Sequence, residues 1–169
     1  MDRRSFLHVS VTTTGGLLLG LSLGCKDREQ AKPAPQPTPT GKPVDLNAWI
    51  RIDPDDTVTF QITESEMGQG VMTALSMILA EELDADWSRV RAEHAAINDK
   101  YGVQMTGGST SVKQGWEPLR RAGAQARAML IGAAAARLGV PATELTTEAS
   151  KIVHAKTKRS LRYGEVAKD

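Results

Sequence analysis

At 169 residues, with a formal net charge of +1 and its acidic and basic residues interspersed, the chain holds at most one domain or part of one, and carries no electrostatic footprint for nucleic acid. Its single cysteine, Cys25, excludes a disulfide within the chain and a cysteine-ligated iron–sulfur cluster.

Residues 1–25 look like an export signal. Arg3 and Arg4 are followed by Ser5-Phe6-Leu7, then by an apolar run from Val9 to Leu23 that Thr12, Thr13, Thr14, Gly15 and Gly16 soften. That run is too short and too weak to span a bilayer. The pattern predicts a twin-arginine signal, the bacterial address for proteins exported already folded, and hence a periplasmic location. The alternative is an ordinary secretory peptide whose arginines form its positive end. Cys25 closes L-S-L-G-C, a lipobox-like ending whose leucine, Leu21, stands one place early. Two outcomes stand level there: a lipid on Cys25, the one route to a membrane, and cleavage without one. Residues 26–43 alternate proline with small or polar residues, an extended tether with nothing to bury. Residues 44–169 are therefore the globular part.

Within it, residues 49–52 and 57–63 flank the turn-forming Asp53-Pro54-Asp55-Asp56. Val58, Phe60 and Ile62 alternate with Thr57, Thr59, Gln61 and Thr63, so an antiparallel hairpin is expected. Its second strand leads into Ser65-Glu66-Met67-Gly68-Gln69-Gly70. The following run has Val71, Leu75, Ile78, Leu79 and Leu83 at helical spacing, and Met72 and Met77 widen the apolar surface, which predicts a sandwiched helix. Glu81 and Glu82 fall in its last turn, where the dipole disfavours them, and this predicts a cationic neighbour. Val90, Ala92, His94 and Ala96 give a third strand. His94 and His154 stand alone, without the companions a metal site needs, and are expected to be structural. Residues 98–108 form a long loop of little packing value that ends in Gly107-Gly108. Ser111 and Gln114 have capping-box spacing for a second helix running to Leu138, where Gly139 and Pro141 stop it. Pro118 either sits inside that helix or marks its first turn. Gly123, Ala126, Gly132 and residues 133–136 thin the helix surface for close approach, most simply by the strands. Ile152 and Val153, then residues 160–163, form a basic edge hairpin whose lysines guard its exposure.

Two glycine segments, residues 65–70 and 106–111, look like anion cradles: backbone N–H groups left free at helix starts attract an oxyanion, and glycine lets it approach. The longer strings are more telling. Glu66-Met67-Gly68-Gln69-Gly70-Val71-Met72-Thr73, Ala80-Glu81-Glu82-Leu83, Gly107-Gly108-Ser109-Thr110-Ser111-Val112 and residues 119–127 together resemble the molybdopterin-binding subunits of the xanthine dehydrogenase and aldehyde oxidase family, of the isoquinoline 1-oxidoreductase beta-subunit type. The resemblance covers residues 47–169. It implies that Gly68, Gln69 and Gly70, with Gly107, Gly108, Ser109, Thr110 and Ser111, bind molybdenum–molybdopterin, in its cytosine dinucleotide form. It also implies hydroxylation of an aldehyde or nitrogen heterocycle with oxygen from water. Implied partners are a small [2Fe–2S] subunit, the remaining part of the molybdopterin-binding subunit and, conceivably, a cytochrome. The family's general-base glutamate lies far downstream in a G-x-G-E context that does not occur here, so no catalytic residue is assigned and Glu66 is not promoted to that role. Insertion of a cofactor before export agrees with the twin-arginine reading. A competing reading is an exported, non-catalytic binding or assembly module of the same fold. The expected fold is α+β, a small mixed or antiparallel sheet packed against two main helices as part of a larger molybdopterin-binding domain, with an apolar flank left uncovered.

Overall fold

The structure, a computed structural model, describes residues 41–169 and two short segments, His8–Val11 and Leu17–Gly20. The chain divides into two units, residues 1–37 and 38–169. In the first, β1 (His8–Val11) pairs antiparallel with β2 (Leu17–Gly20), Val9 opposite Leu19. The Arg3–Arg4 pair, Cys25 and residues 26–40 of the tether lie outside the described residues.

The second unit is α+β, as the sequence predicts. Its first sheet has the order β3-β4-β5-β6: Val44–Asp45, Ile50–Ile52, Val58–Ile62 and Val90–His94. β3, β4 and β5 are antiparallel neighbours, and the anticipated hairpin sets Ile50 opposite Phe60. β6 pairs with β5 in parallel, Val58 opposite Val90. A parallel neighbour demands a crossover, and α1 (Val71–Leu83) supplies it. Val58, Phe60 and Ile62 have essentially no exposed surface, which makes β5 the spine of the core. β6 is its exposed edge, and His94 is exposed there, in neither the core nor a ligand cluster.

α2 (Ser111–Leu138) packs on α1. A Cβ at Gly123 would stand 2.8 Å from the Leu79 carbonyl oxygen and 2.9 Å from Glu82 Cβ, so the thin face meets a helix more closely than the strands expected to cover it. Arg120 pairs with Glu82, the cation that the acidic last turn of α1 requires. Met77 departs from the sandwiched picture: it is 56% exposed, beside Trp116 at 50%, and the two form an uncovered apolar flank. Pro118 is inside α2, and the helix continues past it. The capping box does not form: the helix starts one residue early, and the side chain of Thr110 at the cap position accepts no bond from a helix amide. Gly139, at φ 66°, closes the other end with its N–H on the Ala135 carbonyl.

A second, antiparallel sheet has the order β7-β8-β9, Leu145–Glu148, Lys151–His154 and Arg159–Arg162. The last two are the expected hairpin; β7 is not legible in the sequence. Its connection to β8 is Ala149-Ser150, both at positive φ, where hairpins ordinarily announce themselves with asparagine or glycine. Long-range bonds impose that turn: Ser150 N–H donates to the Asp84 carbonyl (2.8 Å), and Ser150 Oγ accepts from Asp86 N–H (2.8 Å). α3 (Tyr163–Val166) ends the chain, with the buried Tyr163 hydroxyl donating to the Leu83 carbonyl (2.7 Å). Two cations of the basic hairpin form ion pairs, Arg162 binding buried Asp56 (2.7 Å) and Lys156 binding Glu144 (2.7 Å). Glu144 also meets His154 Nε2 (3.0 Å), while Thr157 Oγ1 meets Nδ1 (2.8 Å), so His154 is a satisfied core histidine.

Candidate functional site

Both glycine loops lie at the same end of the unit because each delivers the chain into one of the two paired helices. The first leaves β5 and enters α1; the second enters α2. They meet directly: Ser65 N–H donates to Thr106 Oγ1 at 2.7 Å across 41 residues of sequence. Between them lies one cleft of about 460 Å³, whose walls include Gln69 and Gly70 from the first loop and Gly107, Gly108, Ser109 and Ser111 from the second. Six of the eight residues assigned from the sequence thus face a common space. Gly68 and Thr110 are not among its walls. Exposed Met67 and Val112 add apolar surface to it.

The premise of two free amide cradles needs correction. Gly68 and Gly70 do not offer free N–H groups: Glu66 Oε1 accepts from both, at 2.8 and 3.0 Å, and its Oε2 accepts from Met72 N–H at 3.0 Å. The protein's own carboxylate fills the nest formed by the loop and the first turn of α1. Such charge-assisted bonds favour the ionised form. The Gly70 and Met72 amides foremost, with Gly68, hold the Glu66 carboxyl below its ordinary value of 4.5. A carboxylate so engaged is a weak proton acceptor, which agrees with leaving it out of any catalytic role. The sequence carried the clue: a glutamate two residues before one glycine and four before the next is within reach of a helix start.

Gln69 is also turned inward, its side-chain N–H donating to the Ser65 carbonyl (3.0 Å) and its oxygen accepting from Met67 N–H (2.6 Å). The second loop has no such clasp. Thr110 Oγ1 donates to the Gly107 carbonyl (3.0 Å), and Thr110 C=O accepts the first helical bond of α2 from Gln114 N–H (2.8 Å). The N–H groups of Ser111, Val112 and Lys113 precede that bond, and no capping side chain covers them. Gly108 and Ser109 both hold positive φ, 59° and 56°, which turns the chain sharply into the helix. Gly68, Gly70 and Gly107 have open space where a Cβ would project, so a ligand can approach the backbone there. The preceding loop is better anchored than its composition suggests: the Tyr101 hydroxyl donates to the Ala48 carbonyl (2.9 Å), and its ring packs edge-on against Trp49. Among the described residues, no group of three or more His, Cys, Asp or Glu is placed to hold a metal ion, and no helix is long and apolar enough to cross a membrane.

Comparison with known proteins shows the family of the chain. The chain is 38% identical over 173 aligned residues to the beta chain of isoquinoline 1-oxidoreductase from Brevundimonas diminuta, covering 98% of this chain and 22% of that protein. It is 35% identical to a membrane-bound aldehyde dehydrogenase (pyrroloquinoline-quinone) of Gluconacetobacter polyoxogenes, covering 98% of the chain and 21% of that protein. A nicotinate dehydrogenase subunit from Pseudomonas putida is 32% identical, over 76% of this chain and 11% of its own length. The chain therefore spans about a fifth, or less, of the relatives it matches. Among solved structures, quinoline 2-oxidoreductase from Pseudomonas putida 86 superposes with a TM-score of 0.55 at 22% identity, over 70% of this chain and 15% of that one, and so shares the fold. The profile of the molybdopterin cofactor-binding domain matches residues 19–169, and with these relatives it shows that the chain belongs to the molybdopterin cofactor-binding domain family of oxidoreductases.

Proposed function

We propose that this chain forms part of the cofactor cavity of a molybdenum hydroxylase large subunit, with molybdopterin, in its cytosine dinucleotide form, lying between the two glycine loops. The observation that carries the reading is the convergence of both loops on one cleft, tied by the Ser65–Thr106 bond. The residues there fit such a group. Open space beside Gly70 and Gly107 lets a flat ring lie along the backbone. Gln69, Ser109 and Ser111 carry the amide and hydroxyl donors that orient a polar ring and a phosphate. Gly68 and Thr110 shape the loops. When bound, the cofactor supplies two-electron chemistry that places oxygen from water into a C–H bond of an aldehyde or nitrogen heterocycle. This chain's own residues bind and orient it, and the base and substrate contacts belong to the rest of the subunit. The same reading includes a small [2Fe–2S] subunit, leaves room for a cytochrome partner, and includes export of the folded protein through the twin-arginine signal to the periplasm, with Cys25 lipidated or free.

Purification of the full chain, alone and together with neighbouring gene products, followed by molybdenum and cytidine-nucleotide analysis, tests it. Metal and nucleotide in equal amounts are expected in the assembled complex, with label from ¹⁸O-water entering the product. No molybdenum in any combination ends the enzymatic reading and leaves the non-catalytic module. Gln69→Ala is expected to lower molybdenum loading; unchanged loading counts against that residue.

A further inference from the structure

We propose that Glu66 is the positioning residue of the shared cleft: it touches no ligand, and acts by fixing the backbone that presents Gln69 and ties the first loop to the second. The inference rests on the preceding reading for what the cleft holds, but its geometry stands apart from it. One carboxylate bridges three amides, those of Gly68, Gly70 and Met72, at 2.8 to 3.0 Å. Gly68 and Gly70 sit at φ 91° and 81°, so the chain between them is held in a shape that a six-residue, glycine-containing loop does not keep by packing. Nothing else in the loop supplies that packing, since Met67, Gly68, Gln69 and Gly70 are all exposed. Inside the frame that Glu66 closes, Gln69 binds the Ser65 carbonyl and the Met67 amide. Ser65, so held, directs its own N–H at Thr106. The order of dependence runs from Glu66 through the glycine backbone to Gln69 and Ser65, and from Ser65 to the second loop. A free carboxylate aimed at the cleft would repel an anionic ligand; the clasp instead spends that charge on the backbone and leaves the wall of the cleft to the uncharged Gln69 amide.

The experiment compares wild type, Glu66→Gln and Glu66→Ala as full-length chains, reading amide hydrogen exchange residue by residue, the melting temperature, and molybdenum loading in the assembled complex. Glutamine keeps one acceptor oxygen but turns an NH₂ toward one of the three amides, so it restores the clasp in part. The expected result for Glu66→Ala is a rise of about tenfold or more in exchange at Ser65, whose N–H bonds Thr106 and not the Glu66 carboxylate. Molybdenum loading should fall in the order wild type, Gln, Ala, with the exchange of buried β5 amides unchanged. Wild-type protection at Ser65 in Glu66→Ala, or full loading in that variant, overturns the proposal. Should Glu66→Ala fail to fold, Glu66→Gln decides: Ser65 exchange equal to wild type in that variant overturns it. If wild type itself holds no molybdenum, the cofactor reading fails while Ser65 exchange still judges this one.

Discussion

The two glycine loops look alike in sequence and differ in what their backbones have left to give. In residues 65–70 the Gly68 and Gly70 amides are already committed to Glu66, and the Gln69 side chain is folded into the loop. In residues 106–111 no carboxylate is bound, and the side chain at the cap position leaves the opening amides of α2 uncapped. Glycine spacing at a helix start therefore reports where an anion fits, without reporting whether the protein has supplied its own. The first loop is a framed wall, the second an open one, and the cleft needs both.

The largest effect should come from breaking the frame that holds the loops side by side. Gly123 sits where α1 and α2 cross, and an added Cβ would press on backbone at Leu79. Gly123→Ala should cost about 1–3 kcal/mol by overpacking. Thermal unfolding would show it, and exchange would quicken in both loops together. A change in one loop alone would mean that the helix crossing does not set their spacing.

Thr106→Val removes the hydroxyl that joins the loops while keeping the side chain's shape. The loss should be about 0.5–1.5 kcal/mol, the ordinary net value of one hydrogen bond. Denaturant unfolding measures this, and Ser65 exchange should rise while exchange at Gly68 and Gly70 stays put. Equal acceleration at all three would show that the clasp depends on the tie, reversing the order of dependence from Glu66 outward.

The smallest effect sharpens the contrast by pH. Because the folded-state value of Glu66 lies below 4.5, the clasp contributes at and above that pH and is lost as pH falls through the lower, folded value. Amide exchange, corrected for its intrinsic pH dependence, should therefore show a local step at Gly68, Gly70 and Met72 below about pH 4.5, with no matching step at Ser111, Val112 or Lys113. A step of equal size in both sets would signal global acid unfolding and no local clasp. Glu66→Gln should abolish the local step.

Periodicity alone fixes much of this fold. The alternation through Val58, Phe60 and Ile62 and the helical spacing from Val71 to Leu83 place β5, α1 and the loop between them, since burying an apolar face admits one periodicity at a time. Family-like strings located six cleft residues that the structure brings together. What stayed hidden depended on partners distant in sequence. β7 turns through Ala149-Ser150 because Asp84 and Asp86 bind that turn from α1's end, and no local signal marks it. The thin face of α2 could have served a sheet or a helix, and only packing chose α1 at Gly123. Met77 has core chemistry and an exposed position, because a hydropathy pattern says that a residue can be buried without saying what is there to cover it. Local spacing thus determined the elements and the approach to the loops. Whether an amide in those loops is free depends on where a carboxylate's two oxygens come to rest, and that is set by three-dimensional closure of the chain upon itself.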